Sequence, residues 1–324
     1  MLVKNYWQIK QLKSEPTRSG FGQGLVSAAK KNKDIIALCC DLTESVKLSE
    51  FKAKYPERFV EMGVAEQNMA GVGAGLALSG KIPFIASYAV FSPGRNWDQI
   101  RVSTCYNNAN VKIVGAHAGV SVGPDGATHQ ALEDIALMRV LPHMTVLVPA
   151  DAIEAAKATE VAARHKGPVY LRLNRSATPV FTTASSAFKI GQANVLVEGD
   201  DVTIIACGPL VYQALLAARQ LKKNHICAAV INCHTIKPID QQTIIKYAKK
   251  TRAVVTVEEH QQAGGLGSAV AEVLARLAPT PMEFVGVTDS FGQSGQPEEL
   301  LKFYQLDAPA IIQAVKKVIK QKKS

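Results

Sequence analysis

The sequence has no long apolar run: the longest fall well short of the ~20 residues that a membrane-spanning helix needs. Its first twenty residues, MLVKNYWQIKQLKSEPTRSG, hold no signal-peptide apolar core, so we expect a cytoplasmic protein without membrane contact. The six cysteines, Cys39, Cys40, Cys105, Cys207, Cys227 and Cys233, form no C-x-x-C pair and have no histidine at zinc spacing. This excludes a zinc ribbon or a disulfide framework and leaves the cysteines as small buried hydrophobes in a reducing compartment, with no metal site. A dinucleotide loop is missing too. GVGAG at 71–75 lies inside a helical pattern, and GGLGS at 264–268 lacks the strand and the following acid of G-x-G-x-x-G, so both are expected to be packing or turn glycines. No solenoid-type repeat is present.

What is there suits a globular α/β protein. At roughly 150 residues per domain, 324 residues suggest two domains, and 47% hydrophobic with 20% charged residues is ordinary for a soluble fold. Lysine and arginine number 37 against 27 acids, a formal +10 that fits anionic ligands. Part of it is the terminal run Lys316, Lys317, Lys320, Lys322 and Lys323, expected to be a solvated helix end rather than a nucleic-acid arm.

Apolar runs at 35–40, 59–62, 82–87, 111–115, 145–149 and 169–173 read as strands, alternating with helices near 20–31, 66–79, 94–105, 131–139 and 151–164. Asp151 stands where an N-cap would follow a strand, and Glu154 three residues later completes a capping-box pattern. The Ser/Thr/Ala-rich stretch 176–195 reads as a linker. A second alternation has strands at 202–207, 226–232, 253–259 and 282–287 and helices at 210–223, 240–250, 265–278 and from there to about 322. The expected fold is α/β in two domains, 1–185 and 192–324, with mostly parallel sheets.

Two segments carry chemistry. In VEMGVAEQNMAGVGAGLAL, Glu66 heads a helix that is otherwise apolar. The helix dipole alone could account for an acid there; the alternative is a carboxylate that exchanges a proton or a strong hydrogen bond with a ligand's ring nitrogen. In VGAHAGVSVGPDGATHQALEDIA a strand is followed by a glycine-rich loop with His117, Asp125 and His129. Loops after the carboxyl ends of parallel strands are where open α/β sheets hold ligands, which favours a site over scattered surface histidines.

At these segments the chain resembles the transketolase family of thiamine-diphosphate enzymes. The matching stretches are GVAEQNMAGVGAGLAL and GPDGATHQALEDIALMRVLPHMTVLVPAD, joined by DLTES, GPVYLRLNR, CHTIKPID and EEHQQAGGLGS, from about residue 15 onward. The resemblance implies roles. Glu66 matches the glutamate that hydrogen-bonds the pyrimidine ring of thiamine diphosphate and activates it. Tyr88 and Phe91 fall where aromatic rings stack on that pyrimidine; Tyr88 replaces a usual phenylalanine, and Gly94 stands where many members have a further aromatic. His117 and His129 match histidines that hydrogen-bond the substrate's carbonyl and hydroxyl oxygens, and Asp125 an acid that reads the C2 hydroxyl. Arg18, Ser45 and Arg175 match contacts to the phosphate of a sugar phosphate, a role suited to the planar arginine fork.

The family's G-D-G motif with a following asparagine, which binds the diphosphate and Mg2+ or Ca2+, has no counterpart here. The resemblance therefore implies the C-terminal half of a split transketolase, whose partner chain brings that motif and the metal, in a dimer of heterodimers. Its activity would move a two-carbon ketol unit between sugar phosphates, as in the pentose phosphate pathway or a specialised one. A split 1-deoxyxylulose-5-phosphate synthase is the nearest rival, and Glu133 and His117 tilt against it. A dehydrogenase E1 β-like subunit and a non-catalytic scaffold are further alternatives; the retained Glu66, His117, Asp125 and His129 argue against the scaffold. The second domain is expected to stabilise the assembly without contributing to the chemistry.

Overall fold

A computed structural model describes residues 2–323. The first half contains strands β1 (Ser14–Glu15), β2 (Ile35–Cys39), β3 (Phe59–Glu61), β4 (Ile82–Tyr88), β5 (Lys112–Ala116), β6 (Thr145–Leu147), β7 (Val169–Arg172) and β8 (Thr178–Pro179). Its helices are α1 (Thr17–Lys31), α2 (Ser49–Lys54), α3 (Glu66–Leu78), α4 (Trp97–Gln99), α5 (Asp134–Arg139) and α6 (Ala152–Arg164). The second half has β9 (Asn194–Val197), β10 (Val202–Ala206), β11 (Ala228–Asn232), β12 (Thr235–Lys237), β13 (Val254–Gln261) and β14 (Met282–Val287), with α7 (Leu210–Lys223), α8 (Gln241–Thr251), α9 (Leu266–Leu277), α10 (Pro297–Phe303) and α11 (Ala308–Lys323).

The strands are apolar on both faces because helices cover both faces. β5, β7, β10 and β11 are buried at every position, as strands inside a doubly covered parallel sheet must be. The first sheet runs β12-β6-β7-β5-β4-β2-β3 and is parallel except for β12. The second runs β14-β13-β10-β11-β9 and is parallel except for the edge strand β9. β12 departs from the sequence-based expectation: a three-residue segment of the second half extends the first sheet by pairing antiparallel to β6. One apolar cluster joins the halves, with Ile85, Ile113 and Val146 of the first sheet packed in the same core as Ile205, Ile231 and Val270 of the second half.

Asp151 caps α6 as its position suggested, accepting the Glu154 N–H at 2.9 Å. It also takes the N–H groups of Phe181 and Thr182, so the stretch read as a linker is tied down here. Glu154 reaches back to the Ala150 N–H at 2.6 Å and accepts from Asn232 Nδ2 of β11 at 2.8 Å, so one capping carboxylate links the two halves.

Other expectations need correction. The helix expected from residue 94 starts at Trp97 and continues through Ile100–Tyr106 with the wider π spacing. That expected from 131 starts at Asp134, because Ala131 is still used in bridging Ala118 and the loop ahead of it. The closing helix is two, broken between Phe303 and Ala308, where Gln305 takes a left-handed φ of 55°. Within GVGAG only Gly73 meets a neighbour, a Cβ there coming 2.8 Å from Ile85 Cγ2, while Gly71 and Gly75 face open space. Five cysteines are buried, but Cys227 is exposed. No helix among the described residues is long and apolar enough to cross a membrane.

α1 and α6 pack at backbone distance. A Cβ on Gly20 would lie 1.9 Å from the Ala152 carbonyl oxygen, and one on Gly24 2.5 Å from that of Ala156. Gly20→Ala is therefore expected to cost about 1–3 kcal/mol in chemical denaturation, whereas Gly75→Ala in the isolated chain gains up to about 1 kcal/mol from helix propensity. Equal effects of the two changes would contradict this packing.

Candidate active site

The residues singled out in the sequence gather at the carboxyl ends of the first sheet's parallel strands, where chain reversals expose backbone and side chains together. β4 ends in Tyr88, and the turn after it carries Phe91. β5 is followed at once by His117, whose φ of +55° lies in the left-handed region that histidine tolerates better than most residues. Glu66 opens α3, Arg18 lies in the first turn of α1, and Arg175 follows β7.

The rings form one assembly. Tyr88 stacks on His117 with centroids 3.8 Å apart and 25° between planes, and on Phe91 at 5.7 Å and 19°. His129 stands edge-on to both, 6.0 Å from Tyr88 and 5.5 Å from Phe91. Glu66 is 4% exposed, and both its carboxylate oxygens lie 3.3 Å from Arg95 Nη1. Arg95 also lies over the Phe91 ring, its guanidinium carbon 4.0 Å from the centroid, so the buried carboxylate and the near-parallel rings are joined through it.

On the other side of His117 the charge is positive. Arg18 donates to the Ser45 carbonyl at 2.7 Å and lies 3.3 Å from His117 Nε2. Ser45 thus enters through its main chain. Arg175 donates to the Val122 carbonyl at 2.6 Å and stands 3.6 Å from Asp125. The two arginines are held in register by their sequence neighbours: the Thr17 N–H donates to Asn174 Oδ1 at 3.0 Å, and the Asn174 N–H to Thr17 Oγ1 at 2.8 Å, both buried. Burial, then the Arg175 charge, lowers the Arg18 pKa, a repulsion that an anion between them would relieve. Arg18 Nε and His117 Nδ1 are buried without a hydrogen-bond partner among the described residues, an unpaired donor capacity that a buried polar group seldom leaves unused.

Burial and the Arg18 and Arg175 charges push the His117 pKa down to about 3, so the ring is neutral at working pH. Arginine can only donate, so Nε2 accepts and the ring proton sits on Nδ1, the atom without a partner.

The second half braces the histidine loop from behind. Glu259 on β13 accepts the Ser121 N–H at 2.5 Å inside the histidine loop. Gly119, φ +88°, has no space for a side chain, since a Cβ would lie 2.4 Å from the Glu259 carboxyl carbon. Gln130 Nε2 donates to the carbonyls of Val120 at 3.0 Å, Gly123 at 3.3 Å and Gln293 at 3.0 Å, joining the loop to the segment after β14. Below it, Arg172 pairs with buried Asp134 at 2.8 Å, Tyr170 donates to the same oxygen at 2.7 Å, and Arg172 Nη2 reaches the Glu259 carbonyl at 2.9 Å. The signal available was EEHQQ itself, adjacent acids in an apolar strand run, which must be satisfied if buried. Among the described residues no group of three or more His, Cys, Asp or Glu is placed to hold a metal ion.

Known proteins share this chain's sequence and fold along nearly its whole length. Residues 13–180 match the pyrimidine binding domain of transketolase, and residues 191–311 its C-terminal domain. A putative transketolase C-terminal section of Methanocaldococcus jannaschii is 44% identical over 94% of this chain and 96% of its own length. A 6-deoxy-6-sulfo-D-fructose transketolase subunit of a Clostridium species is 42% identical over 92% of each chain. One of the apulose-4-phosphate transketolase subunits of Phocaeicola vulgatus is 39% identical over 94% of this chain and 97% of its own. A solved structure described as a split gene transketolase, inactive beta4 tetramer, is 48% identical with a TM-score of 0.89, covering 95% of this chain and 99% of that one.

The His117 environment makes a direct prediction. Its folded pKa of about 3 lies below the ordinary 6.5, so between these values the unfolded chain binds the extra proton and His117 costs stability as the pH falls. Ring-nitrogen NMR, assigned with His117→Asn, should show a neutral Nδ1–H tautomer from pH 8 to about pH 4; a titration near pH 6.5 would contradict the geometry.

Proposed function

Because the chain belongs to the transketolase family, whose members depend on thiamine diphosphate, and is a C-terminal subunit of the split kind, we propose that it transfers a two-carbon ketol unit from a ketose phosphate to an aldose phosphate. It does so with a partner chain that carries the G-D-G…N motif, the diphosphate and its Mg2+ or Ca2+. The two chains assemble as a dimer of heterodimers.

The observation that carries this reading is the continuity of the cluster. Glu66, Phe91, Tyr88, His117 and Arg18 are linked through close contacts, with Arg95 bridging the first two, so a carboxylate, an aromatic platform, a neutral imidazole and a cation follow one another. In this reading Glu66 holds the aminopyrimidine ring nitrogen, and Tyr88 and Phe91 cover a ring face and keep water from it. When bound, thiamine diphosphate supplies the carbon nucleophile and the electron sink that ketol transfer requires. His117 and His129 hydrogen-bond the sugar oxygens that gain and lose charge as the C2–C3 bond breaks and re-forms. Asp125 reads the C2 hydroxyl. Arg18 and Arg175, with Ser45 behind Arg18, hold the terminal phosphate and so position the bond to be cleaved.

The relatives' names include a sulfo-sugar and a further sugar phosphate. Like the ketose phosphate proposed here, each carries an anionic group, for which two arginines are a fitting receptor. The sugar itself is left to pocket shape, part of which the partner provides.

The separation of roles is testable in the two-chain complex. Arg18→Met removes one charge-assisted anchor and should raise KM for a phosphorylated donor about 10–100-fold with kcat nearly kept. Glu66→Ala should abolish turnover even at saturating cofactor. Unchanged turnover in Glu66→Ala would remove Glu66 from the chemistry, and an unchanged KM in Arg18→Met would remove the phosphate site from these arginines.

A further inference from the structure

Arg95 is absent from the roles assigned above, yet it makes both contacts that the proposed pyrimidine would make. Its guanidinium carbon lies 4.0 Å from the Phe91 ring centroid, and its Nη1 lies 3.3 Å from each oxygen of the Glu66 carboxylate. Among the described residues it is the only side chain hydrogen-bonded to that carboxylate. A guanidinium is flat, cationic and rich in N–H donors, so it fits an aromatic face and a carboxylate edge together, as an aminopyrimidine does.

A pyrimidine that made both contacts would need the place Arg95 fills. The backbone around Arg95 is fixed: its N–H donates to the Phe91 carbonyl at 2.9 Å, and a Cβ on Gly94 would lie 1.9 Å from the Val90 carbonyl oxygen. Asn96 is buried and donates to the Glu66 carbonyl and to Ser92 Oγ, each at 3.1 Å. The Arg95 side chain, by contrast, is 49% exposed. It can swing into water by side-chain rotation alone, while its corner and Glu66 stay in place.

Resting on the proposed function, we infer that Arg95 occupies the pyrimidine position until the cofactor arrives, and that its displacement sets cofactor affinity. The arrangement has a physical reason: a 4% exposed carboxylate left without a partner is costly, and a half-exposed cation is a partner that can be given up cheaply.

The inference predicts two effects of opposite sign. In Arg95→Met, which keeps most of the length but loses the charge and the planar fork, the cofactor-free chain should melt about 2 °C lower. In the complex with the partner chain, calorimetry with thiamine diphosphate and magnesium should give about tenfold tighter binding than wild type. Arg95→Lys, keeping charge without the fork, should fall between. A residue of merely structural importance would weaken both readings, and one that holds the bound cofactor would weaken binding. Unchanged or weaker cofactor binding in Arg95→Met overturns the inference while leaving the proposed function standing. A wild-type complex that binds no thiamine diphosphate overturns both.

Discussion

The site depends on a loop that is held in place by residues far from it in sequence. Residues 117–130 contain three glycines with positive φ, a left-handed histidine and two short 3-10 turns, so the loop is bent locally, and its seat against the rest of the chain is set by other contacts. What seats it is the Glu259 carboxylate on the Ser121 N–H, with the Gln130 amide shared between two carbonyls of the loop and that of Gln293. Both interactions reach across to the second half of the chain. His117 and Val122, which holds Arg175, are thereby placed by residues more than a hundred positions away.

Buried polar groups at such a junction are expensive unless complete. The Asp134–Arg172 pair, 1% and 5% exposed, has Tyr170 and two carbonyls around it, with Asp134 Oδ1 alone left without a hydrogen-bond partner among the described residues, so removing Arg172 or Asp134 would leave a stranded charge at a cost of about 3–5 kcal/mol. Glu258 shows the same tension: burial raises its pKa to about 7 against two N–H donors from the start of α9. Together with the shared apolar core and the borrowed strand β12, these contacts join the two halves into one support. The partly exposed arginines and the aromatic rings stand on that support.

Much of this was legible in the residues. Apolar runs bounded by glycine or acid located most strands and helices to within a few positions, because doubly covered strands must be apolar throughout. The candidate residues Glu66, Tyr88, Phe91, His117, His129, Arg18, Ser45, Asp125 and Arg175 stood out as polar or aromatic groups at strand ends or through the family resemblance, and they lie together. Legibility failed where long-range contacts decide. β12 is three residues with no periodicity of their own, and it is a strand because β6 offers an open edge. Thr17 and Asn174 look like ordinary polar residues until the fold brings them together 157 positions apart. Arg95 is likewise silent in sequence, since its meaning lies in standing over Phe91 and against Glu66.

The central claim is that this cluster becomes a catalyst only when a second chain completes it. The most direct measurement is a ketol-transfer assay with xylulose 5-phosphate, ribose 5-phosphate, thiamine diphosphate and magnesium, run on this chain, on the partner carrying the diphosphate motif, and on their mixture. The account predicts turnover in the mixture and none in either chain alone. A mixture that associates and binds the cofactor, yet transfers no ketol unit from this or any other ketose phosphate, would contradict it.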